Sequence, residues 1–175
     1  MTNLSVALPA IDVVDDAVPL APNQSIWALR RRRDKVVAAT QSSYDAMFSH
    51  AVEGLTRTER LLVALHACRV SHAPNLAARY REELAAEKAD AAVADAVERG
   101  DIASLADARL RAMLDFAGKL IARPIEGDRA AIEALAAHGL STPALVALSQ
   151  LIAFLSYQVR LVAGLKALAA AEASA

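Results

Sequence analysis

The most apolar stretch of the chain lies between Pro143 and Leu168. There Leu145, Leu148, Ile152, Leu155, Val159 and Val162 recur at the spacing of one helix face. A helix of that length can cross a membrane or form the spine of a helical core. Gln150, Gln158, Arg160 and Lys166 interrupt it, and an arginine or lysine at mid-bilayer costs on the order of 2.5–3.5 kcal/mol. A buried core helix is therefore the expectation, and a membrane is not an expected partner. The rest of the chain points the same way. Its apolar content of 55% is carried by Ala and Leu, with only 4% aromatic residues, a mixture that forms helices well and strands poorly. An all-α fold, an antiparallel helical bundle, is the expected class. At 175 residues the chain suffices for one domain with one core.

Charge and sulfur content exclude whole classes of function. A formal net charge of −1 supplies no Lys and Arg surplus for a phosphate backbone, so nucleic acid is not an expected partner. The single cysteine, Cys68, rules out an intrachain disulfide and a multi-cysteine metal centre and fits a reducing compartment. The first twenty residues carry Asp12, Asp15 and Asp16 and no basic residue, opposite to a secretory signal, which gives a cytoplasmic expectation. His50, His66, His72 and His138 do not show metal-ligand spacing. No cofactor is expected.

Pro9, Pro19 and Pro22 cut residues 1–24 into pieces too short to nucleate helices alone. This segment reads as an N-terminal arm, extended or packed on another element, with Ile11–Val14 ambiguous as a strand. The single domain spans 25–170 and a flexible tail follows over 171–175. Asn23 or Ser25 can cap a helix running unbroken to Phe48. Arg30, Arg31, Arg32 and Arg33 within it point in four directions, a solvated or carboxylate-paired cluster rather than a DNA-reading stripe. Thr56 to Glu59 form a capping box opening a helix through Leu61, Leu62, Leu65 and Cys68. Ser71 to Pro74 turn the chain into a second helix bearing Leu76, Tyr80 and Leu84. Gly100 stops an alanine-rich helix, Ser104 to Asp107 open the next, Pro124 ends it, Asp128 caps another, Gly139 stops that one, and Ser141 opens the last.

Several of these pieces together resemble a known family. Asp107 to Leu120, His138 to Ser141, Ile152 to Phe154 and Arg160–Leu161 resemble the alkylhydroperoxidase D-like family of the carboxymuconolactone decarboxylase superfamily. The likeness covers roughly Thr56 to Leu168. Trp27 to Leu29 and Ser43 to Phe48 look like an uncharacterised subgroup of that superfamily. The resemblance implies an all-α bundle of the alkylhydroperoxidase D-like type that assembles into homo-oligomers. In active members it implies a peroxidase with a Glu, a Cys-x-x-Cys and a His one helical turn further on. There one thiolate attacks the peroxide, the second resolves the sulfenic acid, and the Glu and His relay protons.

Registered on the capping box, those four positions here are Leu61, Ala73, Leu76 and Tyr80. The two-thiol mechanism is thus excluded by counting. Ser156 and Val159 stand where relatives often carry Asn, while Arg160 and Gly164 remain. The expectation is a redox-silent family member with a degenerate thiol site, a binding or accessory role and room for a small-molecule ligand. Three alternatives stay open: an antioxidant peroxidase using Cys68 alone, a thiol-independent lyase of the carboxymuconolactone decarboxylase type using His and Arg, and a pure interaction partner for another enzyme through the N-terminal arm.

The candidate catalytic residues are Cys68, His72 and Tyr80. Cys68 lies on an apolar helix face, where a free cysteine behaves as an inert hydrophobe unless a neighbour lowers its pKa. His66 is two residues away and points elsewhere, whereas His72 is four residues on. Tyr80 can donate a proton from a pocket, or pack at an amphipathic boundary with its hydroxyl wet. Arg160, the candidate binding residue, needs an ion partner or a ligand anion if it is buried in the apolar helix. Asp115, Glu126 and Glu133 are the nearest candidate partners.

Overall fold

The computed structural model describes residues 12–18, 20 and 24–174. Pro9, Ile11, Pro19, Pro22 and Asn23, used above as breaks, cap or strand, lie outside them. Among the described residues the chain forms nine α-helices and no strand, the all-α class expected. They are α1 (Val13–Ala17), α2 (Ser25–Arg31), α3 (Asp34–Phe48), α4 (Arg57–Val70), α5 (Pro74–Ala86), α6 (Ala91–Arg99), α7 (Ala108–Ala122), α8 (Arg129–Ala137) and α9 (Thr142–Ala173).

The central element is α4, which packs against α3, α5, α6, α7 and α9. Its residues from Arg60 to Cys68 are all buried, so it is surrounded rather than amphipathic. It starts at the capping box, where Thr56 accepts from the Glu59 amide at 3.1 Å and Glu59 accepts from the Thr56 amide at 2.7 Å. The short turn at Ser71–Ala73 sends α5 back along α4, with Pro74 in the first turn. Gly100, left-handed at φ 80°, ends α6. Asp107, Asp128 and Ser141 cap α7, α8 and α9 through their side chains. Ser104 sits in a 3-10 turn upstream, so Asp107 alone does the capping at α7.

Three expectations change. The arm is not extended over residues 12–18: Asp12 caps α1 by accepting from the amides of Val14 and Asp15, and Val13, Val14, Ala17 and Val18 are buried in the core. Its fixed position follows from side chains far along the sequence. Gln41 accepts from the Val13 amide at 3.0 Å, and Asn75 donates to the Ala17 carbonyl at 3.0 Å.

The helix through the arginine run is also not continuous. The chain leaves α2 at Arg32, and Arg33, at φ −112° and ψ 56°, starts α3 in a new direction without a side-chain cap. Neither glycine nor proline causes this break. Arg30 pairs with Asp12 at 2.8 Å and with Asp15 at 2.5 Å, and Arg31 also pairs with Asp15. Both carboxylates are fully buried, so the two guanidiniums must stay with them. At the start of α2, Gln24 rather than Ser25 holds the cap position.

Finally, α9 is a core helix on one side only. Leu148, Leu151, Ile152, Leu155, Val159 and Val162 are buried, whereas Val146, Tyr157 and Leu168 are 43–52% exposed. By length and composition alone α9 could cross a membrane; its packing against α1, α3, α4, α7 and α8 accounts for the inner face. It reaches Ala173, into the segment read as a tail.

Candidate functional site

The α4–α5 hairpin carries the positions where thiol chemistry was sought. Cys68 points inward from α4 and is fully buried. Burial pushes its thiol up to about 12, because an apolar surround disfavours the thiolate.

His72 does not approach it. The chain reverses at His72 with φ 52°, the Ala73 amide closes the helix end onto the Cys68 carbonyl at 2.9 Å, and the imidazole is exposed. Positive φ is uncommon for a residue with a side chain, and here it turns the His72 backbone out of the α4 axis. The expected Cys68–His72 contact is absent among the described residues.

Tyr80 lies deeper than the sequence suggests. It is completely buried, its ring sits 5.3 Å from that of Phe48, and its hydroxyl donates to Gln158 Oε1 at 2.5 Å. The hydroxyl is dry, contrary to the boundary reading, because α9 delivers a buried amide to receive it. Burial raises its pKa well above the ordinary phenol value, and the nearby Cys68 thiol acts in the same direction. The phenol stays protonated, with its hydrogen committed to Gln158 and away from solvent. The Gln158 amide nitrogen has no hydrogen-bond partner among the described residues. Leu61 and Leu76, at the family's Glu and second Cys positions, are fully buried, and Ala73 is half-buried. His66, two residues before Cys68, is buried too. Its pKa falls to about 4, chiefly through burial and then through the Arg69 charge, leaving it neutral.

Two polar constructions escaped the sequence reading. Arg60 is 1% exposed and donates to the carbonyls of Met47, of Ser49 at 2.7 Å and of Thr56 at 3.3 Å. It closes the C-terminal end of α3, where a cation suits the dipole. The second links α3, α4 and α5. The Tyr44 hydroxyl donates to Glu83, Arg57 bridges Glu83 at 2.6 Å and Glu87 at 2.5 Å, and Arg79 reaches Asp16 of α1 at 2.7 Å. Burial and the Glu83 bond push the Tyr44 phenol up to about 12. Each pairing joins two helices, which is a structural function, and no periodicity within one helix announces it.

Arg160 is not buried. It is exposed on α9 and donates to the Ser156 carbonyl one turn back at 2.7 Å. The expected partners are taken: Asp115 by Lys119, Glu126 by Arg123 and Glu133 by Arg129, each at 2.7 Å. The shallow groove beside Arg160, about 280 Å³, is walled by Val70, Ser71, Ile121, Ala122 and Val159 and contains no histidine. The long stem lets the guanidinium stay in water from an apolar helix.

The structure therefore brings Cys68, Tyr80 and Gln158 into one dry core and leaves His72 and Arg160 outside it. A larger groove opens on the opposite flank of α9, against α2 and α3, lined by Leu29, Val36, Val37, Leu161 and Leu165. Among the described residues no group of three or more His, Cys, Asp or Glu is placed to hold a metal ion. No family model matches the sequence, and no curated protein matches it. Among solved structures the chain is similar to an uncharacterized peroxidase-related protein from Silicibacter sp. TM1040. The TM-score is 0.70 at 17% identity, over 91% of this chain and 87% of that one. At that identity the likeness establishes a shared all-α fold.

Proposed function

We propose that the chain is a redox-silent member of the alkylhydroperoxidase D-like family, a homo-oligomeric helical protein with a binding or accessory role. The observation that carries this reading is the sealing of Cys68, which is fully buried and lacks both a second sulfur and a base within reach. The shared fold with a peroxidase-related protein supports the family. Leucine at the Glu position and a dry tyrosine at the His position support the loss of its chemistry. The one-cysteine peroxidase alternative would need an accessible thiolate and the His72 contact, and neither is supported here. The lyase alternative would need a histidine and an arginine working in one pocket. The Arg160 groove has no histidine, and where His138 and Arg111 line a groove between α7 and α8, the imidazole is tied to the Ala134 carbonyl at 2.8 Å and the guanidinium to the Leu105 carbonyl. Association of copies is supported by the outer face of α9, where Val146 and Leu168 are 52% and 50% exposed. A single unpaired cysteine suits a reducing, cytoplasmic setting.

The test is peroxide consumption by the wild type and Cys68→Ala with dithiothreitol as reductant, with mass spectrometry of the Cys68 peptide. Equal background rates and an unmodified thiol are expected. Robust turnover lost in Cys68→Ala would replace this reading with the one-cysteine alternative.

A further inference from the structure

We propose that the groove between α2–α3 and α9 binds an amphiphilic carboxylate, a small molecule with an aliphatic body and one anionic head. The groove measures about 440 Å³, inside the range of about 300–1,000 Å³ in which small-molecule sites fall. Its wall is aliphatic, and Leu29 and Val36 stand 50% and 47% exposed there, unlike the leucines and valines sealed under α4. At the α9 side the Thr40 and Tyr157 hydroxyls meet at 3.0 Å, so the polar groups within the groove satisfy each other and leave the wall apolar.

The mouth has one sign of charge. Arg32 and Arg33 both line it. Arg30 and Arg31 are committed to Asp12 and Asp15, but Arg32 and Arg33 make no ion pair among the described residues. Asp34, the adjacent carboxylate, accepts from the Lys35 amide at 2.7 Å in the first turn of α3. The α3 helix starts at this mouth, so its positive end adds to the arginines.

An apolar groove that is also lined by Arg32 and Arg33, which have no ion pair among the described residues, is complementary to an aliphatic chain ending in a carboxylate, which arginine can hold with two parallel hydrogen bonds. A neutral hydrophobe would leave the arginines unused. A second copy fits less well, because a two-fold interface places each patch on itself and would bring four unpaired arginines together. The site is separate from Cys68, and the inference stands whether or not that thiol is silent.

The test is calorimetric titration of the full chain with dodecanoate, dodecanol and dodecyltrimethylammonium, the two ions below their micellar concentrations and the alcohol below its solubility limit, with light scattering in parallel. Saturable binding of one dodecanoate per chain is expected, with the alcohol weaker and the ammonium weaker still. Replacing Arg32 and Arg33 together by Gln should weaken dodecanoate at least about tenfold and leave dodecanol unchanged. Leu29→Glu, at a position 50% exposed, should abolish binding of both, with an unchanged urea-unfolding midpoint showing that the fold is kept. The proposal is overturned if the three probes bind alike, if the arginine variant binds dodecanoate normally, or if dodecanoate does not saturate. A fall in particle mass on Leu29→Glu without any dodecanoate binding would also overturn it, making the groove an interface between copies.

Discussion

Around Cys68 and Tyr80 every side chain capable of chemistry is dry: the thiol, the phenol, the His66 imidazole and the Gln158 amide are at most 2% exposed. On the far flank of α9 the situation is reversed, with Leu29, Val36 and Tyr157 half in water and Arg32 and Arg33 unpaired at the rim among the described residues. Chemistry requires a reactive group that a substrate can reach, whereas binding requires an unfilled apolar surface with a few oriented charges. The first region has the groups without access. The second has access without nucleophiles. On the proposed reading, contact with small molecules lies on a face away from the α4–α5 hairpin, since one fold can carry its site in different places.

The comparison breaks most directly by writing a charge into the dry region. Leu61→Glu would place a carboxylate at a site with 0% exposure, and we expect it to lose about 4 kcal/mol of stability in urea unfolding. A loss under about 1 kcal/mol would mean that the hairpin interior is wet.

The next largest effect concerns His66, whose pKa is about 4 when folded against an ordinary 6.5. The unfolded chain takes up a proton near pH 6.5 while the folded chain does not until about pH 4. The contribution of neutral His66 is therefore complete above pH 6.5 and falls as pH drops through that window, by about 3 kcal/mol in total. Denaturation of wild type and His66→Gln between pH 7 and about 4.5 should show the wild type losing stability more steeply. Parallel curves would contradict the burial of His66.

Tyr80→Phe removes the 2.5 Å bond to Gln158 and leaves that buried amide unpaired at both ends, for an expected loss of about 2 kcal/mol. The smallest effect belongs to the open flank. Val36→Glu, at a position 47% exposed, should change stability by no more than about 0.5 kcal/mol. A large loss there would show that the groove is part of the folded core.

What the sequence made legible was local. The Thr56–Glu59 box, the caps at Asp128 and Ser141 and the stop at Gly100 depend on residues a few positions apart, and each was readable in place, whereas the start of α7 was read three residues early, at Ser104 rather than at Asp107. The depth of Tyr80 was not, because its acceptor Gln158 lies 78 positions further on. Nor was the break at Arg32–Arg33, whose cause is the pair of buried carboxylates on α1 rather than a helix breaker. Arg60 is similar: its partners are backbone carbonyls at the end of α3, which carry no side-chain signature. Arg160 misled in the other direction: the apolar face through Leu148, Ile152, Leu155, Val159 and Val162 was readable and is buried, but the high hydropathy of α9 as a whole hid that its other face meets solvent.

The central claim is that Cys68 is out of reach, and thiol labelling of the native protein tests it most directly. With 5,5′-dithiobis(2-nitrobenzoate) at pH 8, we predict negligible labelling over an hour in buffer and one thiol per chain on addition of guanidinium chloride, since the folded thiol titrates near 12. Complete labelling of the folded protein within minutes would contradict the sealed hairpin and the redox-silent reading with it.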